Sequence, residues 1–261
     1  MITVAYIGFG VSIREYHIPY VEKRDDMKIK YICRREEDIP QFAEYEPYYS
    51  DITFVTDVED ILRDEEVDLV VCGAPDRFHV PYAKQILEAG KHALIEKPFA
   101  PTAAEAREVF DLATEKGLIC MPNQNRRYDA DFLALRQVLE SGKIGQMVRL
   151  ESHFDYFRTN GSFTLPPVIH NSGKKKVVGR HVVNTAPAPE ERWGTLVWHD
   201  GNGAAVTEKV PVGCAHYERI YDSMLDAIEN GPDRKVVKDE EVCKVLEILE
   251  TATDVAKSHA K

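Results

Sequence analysis

No uninterrupted apolar run in this chain approaches membrane-spanning length, and no basic segment followed by an apolar one opens it, so neither a membrane span nor a secretory leader is expected. Positive charge is in short supply. The 33 Lys and Arg face 44 Asp and Glu, a formal net charge of -11 that opposes non-specific binding to nucleic acid or to an anionic membrane surface. Cysteine is scarce and unpatterned: the 5 cysteines, at 33, 72, 120, 214 and 243, are odd in number and lack C-x-x-C spacing. A disulfide framework and a structural zinc site are therefore not indicated, and most of these thiols read as small buried hydrophobes. No internal repeat or low-complexity tract is visible, and Lys174-Lys175-Lys176 reads as a solvated turn. Asn160-Gly161-Ser162 matches a glycosylation sequon, which carries no weight without a route to the secretory pathway. These absences point to a cytoplasmic protein whose partner is a small molecule.

What is present is organisation. The 261 residues suffice for two domains. Short β-rich runs at 2–8, 28–33, 67–72, 91–95 and 118–121 alternate with helix-like stretches, as a parallel sheet covered on both faces requires. Residues 76–89 carry Phe78, Val80, Ala83, Ile86 and Leu87 at helical spacing, with Gly90 at the position of a C-cap. The next helix starts on a Thr102-x-x-Glu105 capping box, continues through Val109, Phe110 and Ala113, and stops at Gly117.

After Met121 the pattern changes. Residues 127–141 look helical, and 146–157 alternate as a long strand with Val148, Leu150, Ser152, Phe154 and Tyr156 on one face. Segments 193–199 and 204–210 flank Asp200-Gly201-Asn202-Gly203 as a hairpin, and two helices follow, at 217–230 and about 239–257. The reading is an α/β domain at 1–121, a doubly wound parallel sheet, and a shortened α+β domain at 122–261 with an open, mainly antiparallel sheet.

Three segments point to chemistry. The first strand ends in Gly8-Phe9-Gly10, where Gly8 permits a tight strand-to-helix turn and Gly10 leaves room for a pyrophosphate against backbone N–H groups. Ser12 joins these three as a cofactor contact. The third glycine of the dinucleotide fingerprint is replaced by Ile13, which predicts looser helix-to-strand packing than the standard motif gives. His17, in the first helix, is read as a buried, hydrogen-bonded histidine rather than a cofactor contact.

The second strand ends in Cys33-Arg34-Arg35, without the Asp or Glu that binds a ribose 2′-hydroxyl in NAD-selective folds. NADP is the expected cofactor, with NAD possible: Arg34 and Arg35 would hold a 2′-phosphate by charge-assisted bonds, the rival reading being surface pairing with Glu36, Glu37 and Asp38. Lys97 follows the strand 91–95 at the carboxyl edge where such sheets bind ligands, and Pro98 keeps it out of the helical region. A partly desolvated lysine there can remove an alcohol proton while a hydride leaves the adjacent carbon; the bland alternative is a surface lysine paired with Glu96. His153 and Asp155 share a strand face but lack a third ligand, so no metal site is assigned.

The sequence Ala-Tyr-Ile-Gly-Phe-Gly at 5–10, Cys-Gly-Ala-Pro-Asp-Arg-Phe-His at 72–79, Glu-Ala-Gly-Lys-His-Ala-Leu-Ile-Glu-Lys-Pro-Phe at 88–99 and Gln-Asn-Arg-Arg-Tyr-Asp at 124–129 resembles the Gfo/Idh/MocA oxidoreductases. Similarity continues through Glu151–Arg158 and returns in the last two helices. The resemblance implies a Rossmann domain, an open-faced α+β domain, and NAD(P)-linked oxidation or reduction of sugars, polyols or related compounds. It also implies that Ala74, Pro75 and His79 line the cofactor cleft, that Glu96 and Lys97 stand near the nicotinamide, and that Asn125 and Arg126 border cofactor or substrate.

One departure stands out. Catalytic members carry a helix with Asp-x-x-x-His, and no histidine here has Asp four residues earlier; Arg158 instead runs into Thr159-Asn160-Gly161-Ser162-Phe163, an element normally found well downstream. An internal segment is read as missing, with substrate contacts and much of the sheet through which family members dimerise, so a homo-oligomer is left in doubt. His170 and His181 are read as exposed loop histidines. The rival to an active oxidoreductase is a catalytically impaired dinucleotide-binding regulator or interaction protein.

Overall fold

Ile2–Ile7 is a β-branched and aromatic run buried at every position after Ile2, and it forms β1 near the middle of the main sheet. The computed structural model describes residues 1–146, 187–199 and 202–259. After β1 come α1 (Val11–Tyr16), α2 (Ile18–Val21), β2 (Met27–Cys33), α3 (Ile39–Phe42), β3 (Thr53–Val55), α4 (Glu59–Leu62) and β4 (Leu69–Cys72). Then follow α5 (His79–Glu88), β5 (His92–Ile95), α6 (Ala103–Lys116), β6 (Cys120–Pro122) and α7 (Ala130–Glu140). The described chain continues with β7 (Gly194–His199), β8 (Ala205–Val210), α8 (Arg219–Asn230) and α9 (Asp239–His259).

The six N-terminal strands are all parallel and ordered β3-β2-β1-β4-β5-β6. Strand order therefore reverses between β1 and β4, the switch point at which open α/β sheets bind their ligands. All four residues of β4 are buried, as expected of a strand covered on both faces. On α6, Ala103, Ala106, Val109, Phe110 and Ala113 are buried, and Phe110 stacks on Phe99 with ring centroids 4.7 Å apart. Thr102 caps this helix by accepting from the Glu105 N–H at 3.2 Å, and Gly117 follows its end. The expected capping box is present on that arm; the Glu105 carboxylate meets the Thr102 hydroxyl at 3.4 Å rather than its backbone. Cys33, Cys72, Cys120 and Cys243 are buried, as small hydrophobes should be.

Two units divide the described chain. The first comprises Met1–Asn125 together with the residues from Tyr217 onward; the second, the described residues between Arg126 and His216. Helices α8 and α9, assigned from the sequence to the second domain, group with the first unit. Their apolar stripes explain it. Ile220, Tyr221, Met224 and Ala227 of α8 are buried, as are Val242, Cys243 and Leu246 of α9. The Ala103 N–H donates to Glu250 Oε1 at 2.7 Å, fastening α9 to the start of α6.

In the second unit, β7 and β8 pair antiparallel in the register of the expected hairpin, and the His216 N–H donates to the Tyr128 carbonyl at 2.9 Å. The expected strand at 146–157, with His153, Asp155 and Arg158, lies outside the described residues apart from Gln146, as do His170, His181 and Lys174-Lys175-Lys176. Among the described residues no helix is long and apolar enough to cross a membrane, and no group of three or more His, Cys, Asp or Glu could hold a metal ion.

Candidate active site

The parallel ladder runs on past the strands and lines up their carboxyl ends. The Gly8 N–H donates to the Cys33 carbonyl at 2.8 Å, Gly73 N–H to Ile7 at 2.8 Å, Glu96 N–H to Cys72 at 2.9 Å and Asn123 N–H to Ile95 at 2.7 Å. Every segment singled out in the first unit thus ends on one rim.

At the switch point Gly8 has φ +104°, and a Cβ there would lie 2.8 Å from the Gly73 carbonyl oxygen, so both conformation and space require glycine. Beside it the Gly10 position opens on free space, with no atom within 4 Å of the point a Cβ would take. Phe9 contributes only backbone to this turn: its ring is buried among Phe42, Tyr49 and Phe54, at centroid distances of 5.2, 5.4 and 5.1 Å. Ser12 Oγ is buried without a hydrogen-bond partner among the described residues. A turn with an open concavity and an unsatisfied hydroxyl fits a pyrophosphate, whose oxygens accept from hydroxyl and backbone donors. The packing around Ile13 is tight rather than loose: a Cβ on Gly73 would meet Ile13 Cδ1 and Cγ1 at 2.7 Å, so the close approach is kept with the glycine on the opposite element.

Beyond β5, Glu96 is buried and Lys97 exposed. The Glu96 carboxylate receives His17 Nε2 on Oε1 at 2.9 Å, Asn123 Nδ2 on Oε1 at 2.6 Å and the Lys97 N–H on Oε2 at 3.2 Å. On the other side of the imidazole, Nδ1 lies 2.6 Å from the Tyr221 hydroxyl, which is 3.5 Å from that of Tyr6. Burial alone would raise the Glu96 carboxyl; the hydrogen bond and charge of His17, with the Asn123 amide and the Lys97 N–H, outweigh it and hold it at about 2. Burial pushes the Tyr6 and Tyr221 phenols well up, so both stay protonated. Among the described residues the Lys97 ammonium has no ion-pair partner, and in place of the alternative surface pair with Glu96 there is only that backbone contact. The Lys97–Pro98 peptide bond is cis.

His17 is the buried, hydrogen-bonded histidine expected, 0% exposed. His79 is buried too, its Nδ1 2.7 Å from the Pro98 carbonyl oxygen and its Nε2 2.8 Å from that of Ala74, so one ring stitches the loop after β4 to the loop after β5. Pro75 is exposed in the same loop as Ala74. Arg34 and Arg35 are both engaged: Arg34 Nε donates to Glu46 Oε1 at 2.6 Å, and Arg35 Nε to Asp38 Oδ2 at 2.8 Å. Asn125 opens a 3-10 turn after β6; Arg126, in the second unit, donates to Asp129 Oδ2 at 3.0 Å. Sequence reasoning does not single out Asn123 or Tyr221 as site residues. The available signal for Asn123 is a polar residue directly after a buried strand, at the same rim as Glu96; Tyr221 is hidden in the apolar stripe of its helix.

The family described as "Oxidoreductase family, NAD-binding Rossmann fold", Gfo/Idh/MocA, matches residues 2–124. The "Uncharacterized oxidoreductase YhhX" of Escherichia coli (strain K12) is 48% identical over 159 residues, 60% of this chain and 45% of the relative. The "scyllo-inositol 2-dehydrogenase (NADP(+)) IolW" of Bacillus subtilis (strain 168) is 28% identical over 158 residues, 60% of this chain and 42% of the relative. The chain spans about half the length of the curated relatives it matches. A crystal structure of a probable oxidoreductase yhhX superposes with a TM-score of 0.78 at 30% identity, covering 97% of each chain. A glycine turn at the switch point, a lysine on the same rim and these likenesses agree: the chain belongs to the Gfo/Idh/MocA oxidoreductase family.

Proposed function

We propose that this chain is an NAD(P)-dependent oxidoreductase, preferring NADP, that acts on a hydroxyl or carbonyl carbon of a sugar, polyol or related small molecule. The observation that carries the reading is the placement of an exposed Lys97, without an ion-pair partner among the described residues, next to a buried Glu96 whose carboxylate is fully engaged, on the rim that also bears the Gly8 turn. The nicotinamide, when bound, supplies or accepts the hydride. Gly8, the Phe9 backbone, Gly10 and Ser12 hold the pyrophosphate; Arg34 and Arg35 bind the 2′-phosphate; Ala74, Pro75, His79 and Glu96 shape the cleft. Lys97 Nζ, as the neutral amine, takes the hydroxyl proton in the oxidative direction and becomes the ammonium, which returns that proton in the reductive direction. Asn125 and Arg126 bind substrate. The name of the Bacillus relative, an NADP-linked inositol dehydrogenase, supports both the cofactor and the substrate class.

Titration with NADPH and NADH, followed by fluorescence and thermal shift, should show binding of both with NADPH the tighter. A screen of sugars and polyols with NADP should yield turnover that Lys97→Ala reduces by about two to four orders of magnitude at unchanged cofactor affinity. Binding without turnover across that screen favours the rival, a dinucleotide-binding regulator, for which the missing Asp-x-x-x-His pattern speaks. A Lys97→Ala variant with full rate removes that residue from the reaction.

A further inference from the structure

The strand-end segment lacks a carboxylate in sequence and acquires one in space. Arg34 is fixed at the carboxyl end of β2, where its N–H donates to the Val55 carbonyl at 3.0 Å, next to the Cys33 carbonyl that receives the Gly8 N–H. Its guanidinium is saturated on one edge: Nε and Nη2 donate to the two oxygens of Glu46 at 2.6 and 3.3 Å. Nη1 reaches the Val55 carbonyl at 3.5 Å, and the guanidinium carbon lies 5.5 Å from the Phe54 ring centre. The pair is sheltered, with the Arg34 side chain 9% exposed and that of Glu46 23%. Shelter separates it from the neighbouring Arg35, which is 60% exposed and meets Asp38 and Glu37 in a setting where water and salt screen the contact.

In dinucleotide-binding folds of this topology the end of the second strand meets the adenine ribose, and there a carboxylate selects a 2′-hydroxyl and an arginine a 2′-phosphate. Here both side chains occupy it together. A phosphomonoester can use the Arg34 fork only against a carboxylate that holds two of its donors and repels a like charge, whereas a neutral hydroxyl meets no such penalty and can donate to Glu46. We infer that Glu46 is a specificity-determining residue: by occupying Arg34 it restrains the preference for a 2′-phosphorylated dinucleotide and keeps the unphosphorylated one acceptable. The inference rests on the proposed placement of the adenine ribose beside Arg34.

The test is binding of NADPH and of NADH to the full chain by fluorescence titration and calorimetry, with melting curves confirming that each variant folds. In Glu46→Gln, which keeps the shape and removes the charge, NADPH affinity should rise on the order of tenfold, the size of one charge-assisted hydrogen bond, while NADH affinity stays the same or falls. Glu46→Ala should shift the ratio in the same direction. In the double variant with Arg34→Met the gain should vanish. A fall in NADPH affinity, an equal change for both dinucleotides, or a gain that survives loss of Arg34 overturns the inference. A wild-type chain that prefers NADH while Glu46→Gln moves toward NADPH defeats the proposed NADP preference and sustains the role of Glu46; no binding of either by any variant defeats both.

Discussion

Ile13 fills the space that the missing side chain of Gly73 leaves, its Cδ1 standing 2.7 Å from where a Cβ on Gly73 would be. The fingerprint's third glycine serves close contact between helix and strand, and a contact has two sides. In this chain the small residue sits on the loop after β4 and the large one on α1.

That exchange makes a coupling prediction. Gly73→Ala should destabilise the fold by about 1–3 kcal/mol through overpacking, and Ile13→Ala by about 2–5 kcal/mol through a cavity. The double variant should cost less than the two added, by at least about 1 kcal/mol. Urea unfolding of the four proteins reads the coupling directly, and simple additivity would refute the contact.

Acid should find Glu96. A carboxyl held at about 2 against an ordinary 4.5 contributes stability that is complete above pH 4.5 and is lost as pH falls toward 2. The amount is about 3 kcal/mol. Glu96→Gln, less stable at neutral pH, should therefore show a flatter decline over that window, and parallel decline in both proteins would contradict the assignment.

Tyr221 caps the same network from the far end of the chain. Its hydroxyl can donate to a bare His17 Nδ1 or accept from a protonated one, so it serves the imidazole in either charge state. Tyr221→Phe keeps the ring and strands that nitrogen without a partner, at a cost of about 1–3 kcal/mol. Thermal denaturation should show it, and an unchanged midpoint would mean that the contact carries no weight.

At Thr102 the expectation is smaller. Losing the hydroxyl that receives the Glu105 N–H should cost about 1 kcal/mol, and Thr102→Ser should restore most of it. Comparison of the denaturation midpoints of Thr102→Ala and Thr102→Ser separates capping from packing.

The parallel sheet is legible in the sequence because its strands are nearly continuous apolar runs, and α6 because cap, stripe and stop all occur in register. β3, three residues long, and the four-residue helices α2, α3 and α4 give no comparable period, since so short an element completes less than two repeats of its own pattern. Lys97, Glu96 and the Gly8 turn can be read as a set because each follows a recognisable strand. Glu46 cannot: it reaches Arg34 from a 3-10 turn twelve residues on, and nothing in local spacing announces such a meeting. Tyr221 poses the same difficulty in larger form, being 204 residues from the histidine it touches. The assignment of α8 and α9 to the second domain fails for that reason, since their stripes state that a face is buried but not against what.

The distance between His17 and Tyr221 along the polypeptide also sets an order of events. While the chain is being synthesised, the imidazole at position 17 and the phenol at position 6 wait for a tyrosine made much later, and until it arrives the early half must keep polar groups wet that it will finally enclose. Those contacts cannot close before α8 has been made, so the hydrogen-bond chain that runs from Tyr221 through His17 to Glu96, beside Lys97, joins the two ends of the polypeptide.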